Sequence, residues 1–273
     1  MSNIFAKKKP AASAEVEDDF IGGGGVLDTD IYPAEIKYAY IGKAANSDAR
    51  NLTLCLKVNG KTELTRQIWM TNRQGDVTYK DKKTGEDKNL PGFNQVNSLC
   101  MLLASKEVGN MDVEEKTLNL YDFDAKKEVP QAVDCFTELH GEKLQVAIQR
   151  QTVDKTEKNE ATGDYEATGE TKDINEFIKF FPEDNLVTIS EVAYFVKSLG
   201  GDFEEVLSDG DLDKAIAKME DNGDYAVKWL DKNRGQTYDR STGKKEGKAF
   251  KGGKSNDSSG GSEKKQKTNL FDD

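Results

Sequence analysis

The side chains with the clearest chemical purpose in this chain are Trp69, Tyr79 and Phe93, interleaved with Arg66, Arg73, Lys80, Lys82, Lys83 and Lys88. Cations at this density answer phosphates, and flat rings answer unstacked bases, so a single-stranded nucleic acid is a ligand that satisfies both. The segment also goes against its surroundings. Residues 50–90 hold nine basic and five acidic side chains, a net +4, whereas residues 91–230 hold 14 basic and 30 acidic, a net −16. The whole chain has a net charge of −11. The competing interpretation of the same residues is a solvated hairpin whose aromatics turn toward a core.

Other chemistries find little support. Cys55, Cys100 and Cys135 are widely spaced, no CxxC pair occurs and His140 is the single histidine, so the short-range ligand spacing of a zinc site is missing. The thiols read as buried and free in a reducing compartment. Glu35-Ile36-Lys37 mimics part of a metal-nuclease signature without a second acid at suitable spacing. Asp209-Gly210-Asp211-Leu212-Asp213 resembles a calcium loop, but Lys214 stands where that loop needs glycine, and the segment reads instead as a helix start. With no nucleophile elbow, kinase signature or phosphate loop, the expectation is a binding protein that is not an enzyme and uses no cofactor. No apolar run approaches the ~20 residues of a bilayer span. MSNIFAKKKPAAS has a basic stretch with no apolar run behind it, so it does not read as a secretory leader.

The elements that must position the basic aromatic segment are strands. Ile36, Tyr38 and Tyr40 alternate, and Leu52, Leu54, Leu56 and Val58 form a clean apolar stripe. Asn59-Gly60 marks a hairpin, and the apolar pattern selects a three-residue loop through Lys61, pairing Leu56 with Leu64 and Leu52 with Ile68. That register sends Thr65, Gln67 and Trp69 to the outer face; a slip of one residue would put Trp69 in the core. A second hairpin runs from Tyr79 to Asn89 and turns at Lys83-Thr84-Gly85-Glu86. After Pro91, the spacing of Phe93, Val96, Leu99, Cys100 and Leu103 predicts a helix. Strand texture returns at 116–121, 132–137 and 143–153. Three strands, a helix and two strands is the order of an OB-fold, which binds oligonucleotides on its second and third strands. The fold class expected is therefore mainly β, an OB-fold-like antiparallel barrel.

The polar stretch holding Thr162-Gly163 and Thr168-Gly169 predicts an extended hairpin or loop before Phe177–Phe181. Thr188 and Glu191 form a capping box for a helix over 188–200, with Val192, Phe195, Val196 and Leu199 as its buried stripe and Gly200 as its stop. A short helix follows over Leu212–Met219, and Tyr225–Leu230 must pack somewhere. The domain boundaries are a flexible amino-terminal segment at 1–27, a DNA-binding core at 28–185, a small helical extension at 186–238 and a disordered tail at 239–273. In the tail, Lys264 and Lys265 offer a compact positive pair. Leu270 and Phe271 offer an apolar anchor, and Asp272 and Asp273 an acidic tip, a set suited to a partner protein.

The run from Trp69 through Thr71-Asn72-Arg73, Gly75 and Tyr79 to Leu90-Pro91-Gly92-Phe93 and Val96-Asn97 resembles the single-stranded DNA-binding protein of N-four-like podophages (schitoviruses). The likeness covers most of residues 30–185 and, more loosely, the tail. It implies a protein that coats single-stranded DNA in phage replication and recombination, in the cytoplasm of a host bacterium, beside the phage replication or recombination proteins. It also implies a second role in activating host RNA polymerase. Tyr79 matches a family aromatic that serves DNA binding, and Lys264-Lys265 match a pair that serves the polymerase role. The rival expectation is a protein-interaction or transcription-regulating module without affinity for single-stranded DNA.

Overall fold

The computed structural model describes residues 25–122, 125–158, 165–219 and 222–242. Its chain falls into two compact units, one comprising residues up to Gln151 with Asp173–Asp239, the other Thr152–Lys172 with the residues from Arg240 onward.

The first unit begins with β1 (Asp30–Lys43), β2 (Arg50–Val58) and β3 (Thr62–Trp69), an antiparallel meander. Leu56 pairs with Leu64 and Leu52 with Ile68, the register that the apolar stripe selects, and Asn59 and Gly60 supply the positive φ angles of the turn. After a detached two-stranded hairpin, β4 (Thr78–Lys80) and β5 (Asp87–Asn89), comes helix α1 (Pro91–Ala104). Its residues Val96, Leu99, Cys100 and Leu102 are buried against the sheet. A hairpin of β6 (Glu114–Asp122) and β7 (Lys127–Cys135) follows, then β8 (Lys143–Lys158) and β9 (Tyr165–Phe181), which pair with each other. The sheet runs β8-β1-β2-β3, with β7 also on β1.

Strand β1 changes partner partway along its edge. Residues Asp30–Glu35 pair with β8, whereas Tyr40 pairs with Cys135 of β7. Between these, the backbone is served by residues 136–142: the Phe136 amide donates to the Ala39 carbonyl at 3.0 Å, and the Ala39 amide donates to His140 Nε2 at 3.1 Å. At the changeover a β-bulge shifts the register, because Ile36 faces Leu56 while Tyr38 faces Cys55, leaving Lys37 unmatched. The single stripe Ile36, Tyr38, Tyr40 is therefore corrected. Ala34, Ile36 and Ala39 are buried in the core, and Tyr38 and Tyr40 stand on the opposite face.

The expected barrel is not closed. Strand β3 meets β9 through a side chain, Arg66 Nε donating to the Asn175 carbonyl, and helix α1 meets it through Gln95 Nε2, which donates to the Phe177 carbonyl at 2.7 Å. A long guanidinium arm spans the gap where a barrel would have a backbone ladder. The stretch read as an extended hairpin or loop contributes the long strand β9, whose central residues are polar and largely exposed.

Helices α2 (Ile189–Ser198), α3 (Phe203–Ser208), α4 (Leu212–Ile216) and α5 (Asp224–Asn233) complete this unit before the short strand β10 (Thr237–Asp239). The capping box is present, Thr188 Oγ1 accepting from the Glu191 amide at 3.2 Å and Glu191 Oε2 accepting from the Thr188 amide at 2.8 Å. Val192 and Val196 are buried as expected, but Leu199 is 68% exposed, because it lies beyond the last helical turn where the chain leaves the core. Residues Val187, Val192, Leu212 and Ile216 join the main core, while Trp229 and Ala226 pack on Phe181 and Ala147. Helices α2 and α5 meet through Glu191, whose Oε1 accepts the Tyr225 amide at 2.8 Å. The Gly235 amide donates to the Thr29 carbonyl at 2.8 Å, and Thr29 Oγ1 donates to the Gln236 carbonyl at 2.5 Å, so the start of the described chain is stitched to the far end of α5.

The second unit is built from the outer parts of β8 and β9. Lys155 and Glu170 pair at 2.7 Å, and the Thr242 hydroxyl donates to Asp154 at 2.8 Å.

Candidate nucleic-acid interface

The three-stranded meander presents three rows of side chains on the face away from the core. Its registers align Tyr38, Cys55 and Thr65, then Tyr40, Thr53 and Gln67, then Gly42, Asn51 and Trp69. The central column, Cys55, Thr53 and Asn51, is small and buried, and two aromatic borders flank it, Tyr38 and Tyr40 on β1 and Trp69 on β3. Two strand spacings separate those borders by about 10 Å. The two tyrosine rings lie 5.9 Å apart, and the Tyr38 hydroxyl reaches Thr65 Oγ1 at 3.4 Å across Cys55. Burial pushes the Tyr38 phenol up to about 12, so it stays neutral. Trp69 is 44% exposed, a large ring held outward by a strand whose alternate residues, Ile68 and Met70, are buried. The tyrosine border was not legible as part of this face, because nothing in the composition marks Lys37 as a bulge.

The block from Trp69 to Phe93 has a structural logic of its own. The Met70 amide bonds to the Arg50 carbonyl at 2.9 Å, and the Arg50 amide bonds to Thr71 Oγ1 at 2.7 Å, pinning the end of β3. Asn72 Oδ1 accepts the amides of Gln74 and Asp76, both at 2.9 Å, and Gly75 takes φ +91° to close that turn. The Asp48 amide then donates to the Arg73 carbonyl at 3.1 Å. After the β4–β5 hairpin, the Leu90 amide returns to the Val77 carbonyl at 2.9 Å. Pro91 opens α1 with a residue that needs no amide partner, and Gly92 then fits against the end of β3. A Cβ at Gly92 would lie 2.0 Å from the Trp69 carbonyl oxygen, so this helix start tolerates no side chain. Both feet of the basic hairpin are thus fastened to the end of the strand that displays Trp69.

The hairpin itself is organised by Asp81. Its carboxylate accepts the Lys83 amide at 2.7 Å and the Lys88 ammonium at 2.6 Å, and Gly85 at φ +74° completes the turn. The Lys88 contact and the Lys83 and Thr84 amides hold the Asp81 carboxyl below the usual carboxylate range. Tyr79 is 45% exposed on β4.

The cations expected to meet DNA are not alike. Lys80 pairs with Asp87 at 3.2 Å at an exposed surface, where such a pair exchanges readily for another anion, whereas Lys88 pairs with the half-buried Asp81. Arg73, Lys82 and Lys83 belong to the same loop and hairpin. Arg66 is different: it projects to the core side of β3, its guanidinium engaged by the Asn175 and Thr65 carbonyls, and burial lowers its pKa. The structure therefore separates it from Trp69 and Tyr79. The tail residues Lys264, Lys265, Leu270, Phe271, Asp272 and Asp273 lie outside the described residues.

Elsewhere the thiols of Cys55, Cys100 and Cys135 are buried and free, and burial pushes Cys100 up to about 12. Among the described residues no group of three or more His, Cys, Asp or Glu could hold a metal ion, and no helix is long and apolar enough to cross a membrane. No family model and no curated protein sequence matches this chain.

Proposed function

We propose that this protein binds single-stranded DNA without reading its sequence, coating it during phage replication and recombination, and that it does no chemistry on it. The observation that carries this reading is Trp69. A large aromatic is displayed outward at the end of a rigid strand, fastened to a hairpin that bears Tyr79 and the lysines Lys80, Lys82, Lys83 and Lys88. Bases would stack on Trp69 and Tyr79, the backbone would follow the hairpin lysines, and Tyr38 and Tyr40 would border the track on the far side. The meander followed by a helix and a further hairpin supports an OB-like ancestry, in an open form bridged by Arg66.

By its resemblance to the N-four-like phage proteins, the chain would act in the host bacterial cytoplasm and meet replication or recombination proteins. Lys264 and Lys265 would serve the activation of host RNA polymerase. The hairpin's own Lys80–Asp87 and Lys88–Asp81 pairs favour a second reading, in which it contacts a protein surface instead. Titration of a fluorescent single strand at several salt concentrations separates the two. Each phosphate neutralised contributes roughly −0.7 to the slope of log affinity against log salt, so about four contacts give a slope near −3. A flat salt response, or a preference for duplex, would overturn the DNA reading.

A further inference from the structure

Strand β1 supplies the tyrosine border of the outer face. Between its pairings with β8 and β7, Ile36 and Ala39 turn inward and are 0% exposed. Their four backbone polar groups all find partners in residues 136–142. The Ile36 amide donates to the Glu142 carbonyl at 2.9 Å, the Gly141 amide donates to the Ile36 carbonyl at 2.7 Å, and the Phe136 amide donates to the Ala39 carbonyl at 3.0 Å. The fourth group, the Ala39 amide, donates to a side chain, His140 Nε2 at 3.1 Å. The same nitrogen is 3.4 Å from the Ala39 carbonyl, which the Phe136 amide already serves.

A buried amide left without a partner costs as much free energy as a lost hydrogen bond. The imidazole therefore stands where a neighbouring strand would offer a carbonyl. Residues Thr137–Leu139 are coiled into a 3₁₀ turn, with Leu139 fully buried, and the His140 amide returns to the Thr137 carbonyl at 3.0 Å. An imidazole nitrogen accepts only when it carries no proton, so this geometry calls for a neutral ring with its proton on Nδ1. Ala39 lies between Tyr38 and Tyr40, whose rings are 5.9 Å apart. Side chains alternate along a strand, so both tyrosines face outward only while Ala39 is held inward, and the bulge at Lys37 leaves that choice to the bonds at Ala39. We infer that His140 is a positioning residue for single-strand binding: by accepting the Ala39 amide it fixes the bulged part of β1 and aims Tyr38 and Tyr40 at the track beside Trp69. The inference rests on the DNA reading through the tyrosine border, while the bond itself is read without DNA.

His140 is the single histidine, so the free protein gives one set of imidazole resonances. At mildly alkaline pH their nitrogen shifts should place the proton on Nδ1; a proton on Nε2 would overturn the inference. His140→Leu fills the space without an acceptor. In that variant the Ala39 amide should lose about tenfold of its protection from hydrogen exchange, while the amides of the central strand β2 keep theirs. Single-strand affinity should fall about fivefold, the lower end of what one stacked base contributes. His140→Asn, polar but too short to reach, should behave as His140→Leu does, which keeps the comparison open if the leucine variant does not fold. His140→Gln, whose side-chain oxygen reaches about as far as Nε2, should restore both protection and affinity. Ala39 protection that survives His140→Leu and His140→Asn would overturn the inference, as would lost protection with affinity unchanged, or an affinity that His140→Gln does not restore. Failure of the DNA reading looks different: the wild-type protein itself then shows no single-strand affinity, and the positioning role falls with it.

Discussion

The outer face of the β1–β3 meander and the helical junction at Glu191 solve opposite problems with the same kinds of residue. Each holds a tryptophan and a glycine pressed against a backbone carbonyl. At the sheet, Gly92 abuts the Trp69 carbonyl and the indole is left 44% exposed; at the helices, Gly223 abuts the Leu186 carbonyl and the indole of Trp229 is 9% exposed. The close backbone contact secures the element in both cases, and the ring is spent differently. In the helical region it fills the core beside Phe181. At the sheet the core is already complete with Ile68 and Met70, so Trp69 is available to a ligand. The charges diverge likewise, +4 across residues 50–90 and −5 across residues 186–238.

This contrast breaks most visibly at the buried ring. Trp229→Ala should lose about 3–5 kcal/mol of stability in denaturant unfolding, with single-strand affinity unchanged in conditions where the variant is folded. Gly92→Ala comes next, because its Cβ would strike backbone and cannot be relieved by a rotamer change. It should cost about 1–3 kcal/mol of stability and, since α1 and the hairpin foot must shift together, should weaken DNA binding as well. Trp69→Ala reverses the pattern of Trp229→Ala, with on the order of 1–3 kcal/mol lost from DNA affinity and a nearly unchanged unfolding midpoint; Tyr79→Ala should behave the same way. If Trp69→Ala instead destabilises as Trp229→Ala does, the two regions do not differ in the manner described.

The smallest effect sharpens the comparison through pH. Asp81 is held below the usual carboxylate range, so its support of the hairpin is complete above the ordinary carboxylate pKa. That support is lost only as pH falls through the depressed value of the folded state. The protection factors of the Lys83 and Thr84 amides, taken against the intrinsic exchange rate at each pH, should therefore stay constant from neutrality down to the usual carboxylate range and fall below it. Asp81→Asn should exchange quickly throughout.

Much of the sheet could be read from the residues because one periodicity governed it. The apolar stripe Leu52 to Val58 set the register with β3, and hence the outward Trp69, since a slip by one residue would have exposed the whole stripe. The capping box at Thr188 was legible for a similar reason, being a local bond between side chains three residues apart. The misses share a different cause. The bulge at Lys37 answers a change of partner from β8 to β7, which no local pattern encodes. Arg66 looks like its basic neighbours, but its destination is the Asn175 carbonyl more than a hundred positions away. Strand β9 is polar through its middle, so it lacks the apolar alternation that announces a half-buried strand. In the candidate site, the outward Trp69 followed from the apolar register and the exposed Tyr79 from its place on the hairpin, while the tyrosine border required the fold.

The stitch between Thr29 and Gly235–Gln236 has a mechanical consequence. It brings the start of β1 and the end of the helical region together, so a pull at the start of the described chain is met first by the paired Leu27–Asn175 bonds and then by this stitch. A pull at that end could yield at Leu27 and Thr29 while the rows bearing Tyr40 and Trp69 keep the spacing set by the β1–β2 and β2–β3 ladders.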